Sequence, residues 1–269
     1  MDRVGDDTSS RLRRFADRLG VDLELIDAAE IGFGEPAGFR RDSPISKATY
    51  LRLFADRVVP DSADRVLYLD SDLLVRRDLS TLYEIGLEGR AVAAARDQII
   101  NTRSHNRSGT SVRDDHCYFN AGVLVINLDR MRGGLGERLR DHALHLSEAP
   151  WFDQDVLNDL LTEGDWVEFG PEWNLQSPLH VDAEPPNAWT SEIRELRAGA
   201  ADAAVIHFSG SVKPWDGGWS PFPRQWRQTL RASGWQTPRE RMRWETTLLR
   251  SRLRPRTRLR ALTRRRNSA

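Results

Sequence analysis

Four short stretches carry residues whose types and spacing could do chemistry. Asp70-Ser71-Asp72 follows the apolar run VLYL. Two carboxylates one residue apart, leaving a strand, can hold one hard divalent cation from the same side, although the pattern also fits a solvated acidic turn. The run VIHFSGSVKPW offers an imidazole at His207, close backbone approach at Gly210 and a point charge suited to phosphate at Lys213. Taken alone, His207 equally fits a satisfied core histidine. Carboxylates with a histidine make a mixed oxygen and nitrogen site that suits Mn²⁺ better than Ca²⁺. Lys213 together with such a metal would neutralise a diphosphate. Asn120, in CYFNAGVLVIN, presents a donor and an acceptor to a sugar hydroxyl, or else marks a turn before a strand. Phe152-Asp153-Gln154-Asp155 opens a helix, where acidic residues also serve the positive end of the helix dipole.

The elements that must position these residues alternate along the chain. Thr8, Ser9 or Ser10 can cap a helix RLRRFADRL that Gly20 ends, and VDLELI then reads as a strand. After a loop with Gly32, Gly34 and Pro36, SPISKATYLRLFADRVV reads as an amphipathic helix stopped by Pro60. RVLYL is a strand ending at Asp70; Val75–Arg77 reads as a strand end, LSTLYEI as a helical turn and AVAAAR (91–96) as another strand. A polar loop spans 101–115, GVLVIN (122–127) is the clearest buried strand, and helices are expected around 128–147 and 152–162. AAVIHF (203–208) is the last strand. Continuous apolar strands alternating with helices predict an α/β fold with a central, mostly parallel sheet. In such sheets ligands bind at the carboxyl ends of strands, where Asp70 and His207 stand.

Composition bounds the partners. Lys plus Arg and Asp plus Glu are 40 each, so the 269-residue chain has no formal net charge. Residues 238–269 nevertheless hold twelve Arg and two Glu, a local +10, and residues 1–237 carry the balancing −10. Cys117 is the only cysteine, which excludes an intrachain disulfide and a cysteine zinc cage. The polar start MDRVGDDTSS does not read as a secretory signal, and no apolar run approaches the ~20 residues that cross a bilayer. A cytoplasmic protein is expected, one that meets a membrane from the side.

Together, LYLDSDLLV, YFNAGVLVINL, FDQDVLN, PEWN and HFSGSVKPW resemble, in order, the motifs of the retaining glycosyltransferases of family 8. That family includes bacterial lipopolysaccharide α-galactosyl- and glucosyltransferases. The similarity runs from about residue 10 to about residue 220. It implies a GT-A type fold, a UDP-hexose donor and Mn²⁺, with Mg²⁺ as the alternative. By resemblance, Asp70, Asp72 and His207 hold the metal, with Asp70 also near the ribose. Gly210 and Lys213 hold the diphosphate. Arg52 lies near the donor and Asp97 near the sugars, while Asn120, Asp153 and Gln154 line the donor-sugar pocket. Retention of configuration is also an implication of the resemblance. Gln154 is a poor nucleophile, which favours same-face attack within a short-lived ion pair over a covalent intermediate. Family members normally begin with a strand, a helix and a second strand that here are expected to be lacking. That leaves a non-catalytic nucleotide-sugar-binding relative as the alternative reading.

The expected domain division is a glycosyltransferase domain at 1–237 and an Arg-rich tail at 238–269. Leu248, Leu249, Leu253, Leu259 and Leu262 intersperse the tail's arginines, and Pro255 interrupts its helical pattern. Anionic headgroups attract such segments by ~1 kcal/mol per basic residue. The expected partners are therefore a nucleotide-sugar donor, a glycan or glycolipid acceptor and an anionic membrane surface, with no nucleic acid, since no groove-reading motif accompanies the arginines. A solvated tail is the plain alternative. A DxD phosphohydrolase fits poorly: Leu74 stands where it expects Thr or Val, and His207 stands in place of a later acidic pair. His142 and His145, one turn apart, could chelate a metal but also read as ordinary helix residues.

Overall fold

The computed structural model describes residues 5–32, 36–37, 47–100, 117–147, 149, 151–180, 198–210, 213–216 and 222–236. The chain divides into two compact units, Met1–Ser209 and Gly210–Ala269. The loop at 101–115 and the tail at 238–269 lie outside the described residues.

In the first unit, helix α1 spans Asp6–Leu19 and ends on Gly20 in the left-handed region at φ 66°, whose N–H reaches the carbonyls of Ala16 and Asp17. This is the cap that only a residue without Cβ adopts freely. Its start differs from expectation: Gly5 is the N-cap, and Asp6 and Asp7 occupy the first turn, where carboxylates favour the dipole. VDLELI does not form a strand. Val21 and Ile26 are about half exposed, so this run lacks the covered face that fixes a strand. Of the second expected helix, Lys47–Phe54 is a 3₁₀ segment and only α2, Ala55–Val58, is α-helical. Three residues per turn stack Tyr50 above Leu53, both fully buried.

Strand β1 (Arg65–Leu69) leads through the Asp70–Asp72 turn into β2 (Leu73–Val75), and α3 is Ser80–Tyr83. Strand β3 is Val92–Arg96 and β4 is Phe119–Asn127. Asn127 Oδ1 accepts the Arg130 N–H and so caps α4 (Leu128–Arg130). The expected helix over 128–147 is broken: a π-turn at Met131–Leu135, with Gly134 at φ 106°, separates α4 from α5 (Gly136–His145). Helix α6 is Asp153–Leu160, followed by β5 (Trp166–Glu168), β6 (Leu175–Gln176) and β7 (Val205–His207).

Two sheets result, ordered β1-β4-β3-β5 and β2-β7-β6. The α/β class is as expected, but the predominance of parallel pairing is not. Among the described strands, three of five pairings are antiparallel, including both neighbours of β4. A continuous apolar run reports burial on both faces, and here both faces of β4 are covered whatever its direction. Phe119, Ala121, Leu124 and Ile126 pack with Tyr50, Leu53, Phe54 and residues of α5 and α6. Val123 and Val125 pack on the other side with Leu82, Leu87, Phe169 and Val205. Register slips between Ala94 and Ala95, which pair with Leu124 and Asn120. Such a bulge re-aims a strand locally. It leaves Ala121, Gly122 and Val123 without partners in β3; the Ala121 carbonyl accepts from Arg52, while the Gly122 carbonyl accepts the Asp70 N–H just beyond the end of β1.

In the second unit, helix α7 spans Pro223–Ser233. Trp215 packs on Trp226 with ring centroids 5.4 Å apart, and Lys213 Nζ lies 6.0 Å from the Trp215 ring centre.

Candidate active site

The Asp70–Asp72 turn is tied at both ends. The Asp70 N–H donates to the Gly122 carbonyl at 2.9 Å, and the Asp72 carbonyl accepts the Phe208 N–H at 2.9 Å. Pairing of Leu73 with His207 then sets the imidazole beside the turn. His207 Nε2 lies 3.2 Å from Asp72 Oδ1 and 3.7 Å from Asp70 Oδ2. One ligand atom from each of the three residues falls within 4.8 Å of the others. Two carboxylate oxygens and one imidazole nitrogen facing a single point suit a borderline-hard divalent cation.

The second oxygen of Asp70 is already committed. Its Oδ1 accepts from Arg52 Nη2 and from the Tyr68 hydroxyl, both at 2.8 Å. Arg52 is buried, donates also to the Ala121 carbonyl, and places Nε 2.8 Å from Asp153 Oδ2. Its guanidinium stacks 4.5 Å from the centre of the Tyr68 ring. Burial pushes the Tyr68 hydroxyl well above its usual range, so it stays a donor to Asp70. Burial likewise raises the Asp153 carboxyl, and the Arg52 charge opposes that shift. One arginine thus bridges Asp70 and Asp153, the first residue of α6.

Helix α6 is aimed by a strained turn. Phe152 precedes it at φ 57°, ψ −123°, a region that favours glycine and costs a side-chain-bearing residue about 1–3 kcal/mol. Packing of the buried Phe152 ring edge-on to Tyr50, centroids 6.4 Å apart, helps hold it. Asp155, fully buried, accepts from the Trp151 N–H and the Tyr118 hydroxyl, both at 2.7 Å.

Behind the three-residue cluster lies a network of amides. Asp97 Oδ2 accepts from Asn120 Nδ2 at 3.0 Å and from Gln154 and Gln176 Nε2, both at 3.2 Å. Asp97 Oδ1 accepts the N–H groups of Ile99 and Ile100. Gln154 Oε1 accepts from the Ala121 N–H and from Asn120. Asn120 Oδ1 accepts from the Gly122 N–H and from Asn174 Nδ2. Asn174 Oδ1 meets His207 Nδ1 at 3.0 Å. Gln98 and Gln176 clasp each other, each backbone N–H donating to the other's side-chain oxygen.

Of the residues singled out in the sequence, Arg52, Asp70, Asp72, Asp97, Asn120, Asp153, Gln154 and His207 are brought into this one connected group. Gly210 and Lys213 fall in the second unit. His142 and His145 turn to different partners: His142 Nε2 meets Asp159 Oδ2 at 2.6 Å, whereas His145 Nδ1 meets the Asp141 carbonyl. The reading missed Tyr68, Gln98, Gly122, Asn174 and Gln176. Gly122 carried a signal, because a glycine inside an apolar strand often marks close approach by another group.

The sequence pattern of Glycosyl transferase family 8 matches residues 4–218. General stress protein A of Bacillus subtilis is 28% identical over 222 residues, covering 79% of this chain and 73% of its own. The lipopolysaccharide 1,2-glucosyltransferase of Escherichia coli is 28% identical over 207 residues, and the match spans 58% of its length. Among solved structures, an active-site mutant of LgtC superposes with a TM-score of 0.70 at 26% identity, covering 90% of this chain and 85% of LgtC. The galactosyltransferase LgtC in complex with donor and acceptor sugar analogues gives a TM-score of 0.59 at 27% identity, over 79% of this chain and 75% of that one. With its mixed α/β sheets, its ordered motifs and the Asp70, Asp72, His207 cluster, the chain belongs to glycosyltransferase family 8 and has the GT-A fold.

Proposed function

We propose that this protein is a metal-dependent retaining hexosyltransferase, moving galactose or glucose from a UDP-sugar to a glycan or glycolipid of the cell envelope. The observation that carries the reading is the convergence of Asp70, Asp72 and His207 from two separate strand ends. These three residues would hold a divalent cation, Mn²⁺ by its donor set, which would supply Lewis-acid stabilisation of the leaving diphosphate. The resemblance assigns Gly210 and Lys213 to the diphosphate, and fixed donors aimed at developing charge need no reorganisation. Arg52 orients Asp70 and Asp153 together. Asn120, Asp153 and Gln154, with Asp97 behind them, line the sugar pocket and exchange internal hydrogen bonds for bonds to sugar hydroxyls. Both donors on Gln154 Oε1 weaken it further as a nucleophile, which supports same-face attack within a short-lived ion pair.

The acidic body at 1–237 performs this chemistry, and the Arg-rich segment at 238–269 draws it to anionic lipid on the inner face of the cell membrane. Among the described residues no helix is long and apolar enough to cross a membrane. Flotation with liposomes, with and without residues 238–269, tests the tail, and equal binding removes its membrane role. Screening UDP-sugars for metal-dependent UDP release tests the enzyme and identifies the donor. A nucleotide sugar that binds without turnover would favour a non-catalytic relative.

A further inference from the structure

Hydrogen-bond polarity can be followed from groups that allow only one role. A backbone N–H can only donate, and the Gly122 N–H points at one side-chain atom of Asn120 at 3.0 Å; that atom is therefore the carbonyl oxygen Oδ1. The Ala121 N–H likewise fixes Gln154 Oε1 as an acceptor, and that oxygen lies 3.1 Å from the other atom, which is accordingly Nδ2. The orientation of Asn120 is thus fixed twice over. Asn120 Oδ1 also meets the side chain of Asn174 at 2.9 Å, so Asn174 must present its Nδ2 there. Its remaining atom, Oδ1, faces His207 Nδ1 at 3.0 Å. An oxygen without hydrogen can only accept, so the proton of the neutral imidazole sits on Nδ1. The lone pair is left on Nε2, the atom that faces Asp70 and Asp72.

We propose that Asn174 is a positioning residue that fixes the tautomer and orientation of His207 for the divalent cation and couples that site to the sugar-side amides through Asn120. The proposal rests on the reading above that Asp70, Asp72 and His207 hold the metal. Three features make the relay rigid. Asn174 is fully buried and its carbonyl accepts from Gln98 Nε2 at 3.0 Å. Gln98 is clasped to Gln176, whose Nε2 returns to Asp97. Finally, Gly122 makes room for the imidazole, because the ring occupies the space that a Cβ at this position would fill. One side of Asn174 thus serves the metal ligand and the other serves a residue that lines the sugar pocket. The two halves of a single amide carry the two roles, and substitutions can separate them.

The experiment is a titration of the metal-free full chain with Mn²⁺, read from the EPR signal of the free ion, with UDP-hexose turnover measured in parallel. Asn174→Leu removes both halves of the amide and is expected to weaken Mn²⁺ binding by about 10–100-fold, the range for groups that orient a metal-bound histidine. Asn174→Asp keeps an acceptor for His207 Nδ1 and loses the donor to Asn120. It is expected to bind Mn²⁺ within about threefold of the wild type while the donor KM rises. Equal loss of Mn²⁺ affinity in both variants, or none in a folded Asn174→Leu protein, overturns the proposal. If Asn174→Leu does not fold, the ¹⁵N shifts of the His207 ring in the metal-free wild type decide: a proton on Nδ1 supports the relay and a proton on Nε2 refutes it. His207→Ala separates the two readings, since unchanged Mn²⁺ affinity in that variant removes the metal site itself.

Discussion

The imidazole of His207 packs directly on the Cα of Gly122: a Cβ built there would overlap Cε1 and lie 2.7 Å from Nδ1. It would also approach Asn120 Oδ1 to 3.0 Å. No flexible tip could move aside, because the ring is held by Asn174 and by strand pairing at Leu73. Gly122→Ala is therefore expected to lower stability by about 1–3 kcal/mol, the usual cost of overpacking, and to weaken Mn²⁺ binding as well. A urea melt and a metal titration check both parts. A variant as stable as the wild type would show that β4 and β7 are more loosely packed than described.

Arg52 joins Asp70 to Asp153 with two contacts of 2.8 Å in a buried setting. Arg52→Met leaves two carboxylates without their counter-charge, a loss that typically costs about 3–5 kcal/mol. Arg52→Lys restores charge but not the planar fork that reaches both partners. Turnover in the lysine variant should fall at least about tenfold, equivalent to about 1.4 kcal/mol of transition-state stabilisation. Steady-state kinetics and thermal melts of both proteins measure this.

Asp155 provides a pH test away from Asp70, Asp72 and His207. Burial raises its carboxyl from an ordinary 3.8 to about 6, against the opposing hydrogen bonds from Tyr118 and Trp151. Between those values the folded chain holds more protons than the unfolded chain, so this group's contribution to stability falls as pH rises through the window. Above about 6 the cost of the buried charge is fully present. The urea midpoint of Asp155→Asn, compared with wild type, should accordingly improve as pH is raised from about 4 to about 7. A difference independent of pH would mean the carboxyl is not shifted.

How much of this was legible in the sequence follows from the kind of signal each residue left. Asp70, Asp72 and His207 stood at strand ends beside apolar runs, and short-range pattern located them. Gly20 announced the end of α1 for a local reason, its left-handed cap. The direction of the strands was not legible, since β4 is apolar on both faces and that pattern is blind to its neighbours' orientation. VDLELI misled because alternation of apolar residues marks a strand only where another element covers one face. Asn174 closes the PEWN motif, but its role, like that of Gln176, was not legible for a further reason. Their partners, His207 and Asp97, lie 33 and 79 positions away along the chain, and nothing local distinguishes an amide in a relay from one in a turn.

Asp72 is the residue on which the account can be tested most directly, because its Oδ1 is the oxygen nearest His207 Nε2. Asp72→Ala removes one of the three converging side chains and leaves Asp70 and His207 in the chain. The decisive measurement is UDP release from UDP-galactose and UDP-glucose by the full chain, with Mn²⁺ and after chelation, in the wild type and in Asp72→Ala. Release that needs Mn²⁺ and disappears in the variant is the predicted result. Full activity in Asp72→Ala, or wild-type activity that survives chelation, would contradict the assignment of Asp70, Asp72 and His207 as a catalytic metal site.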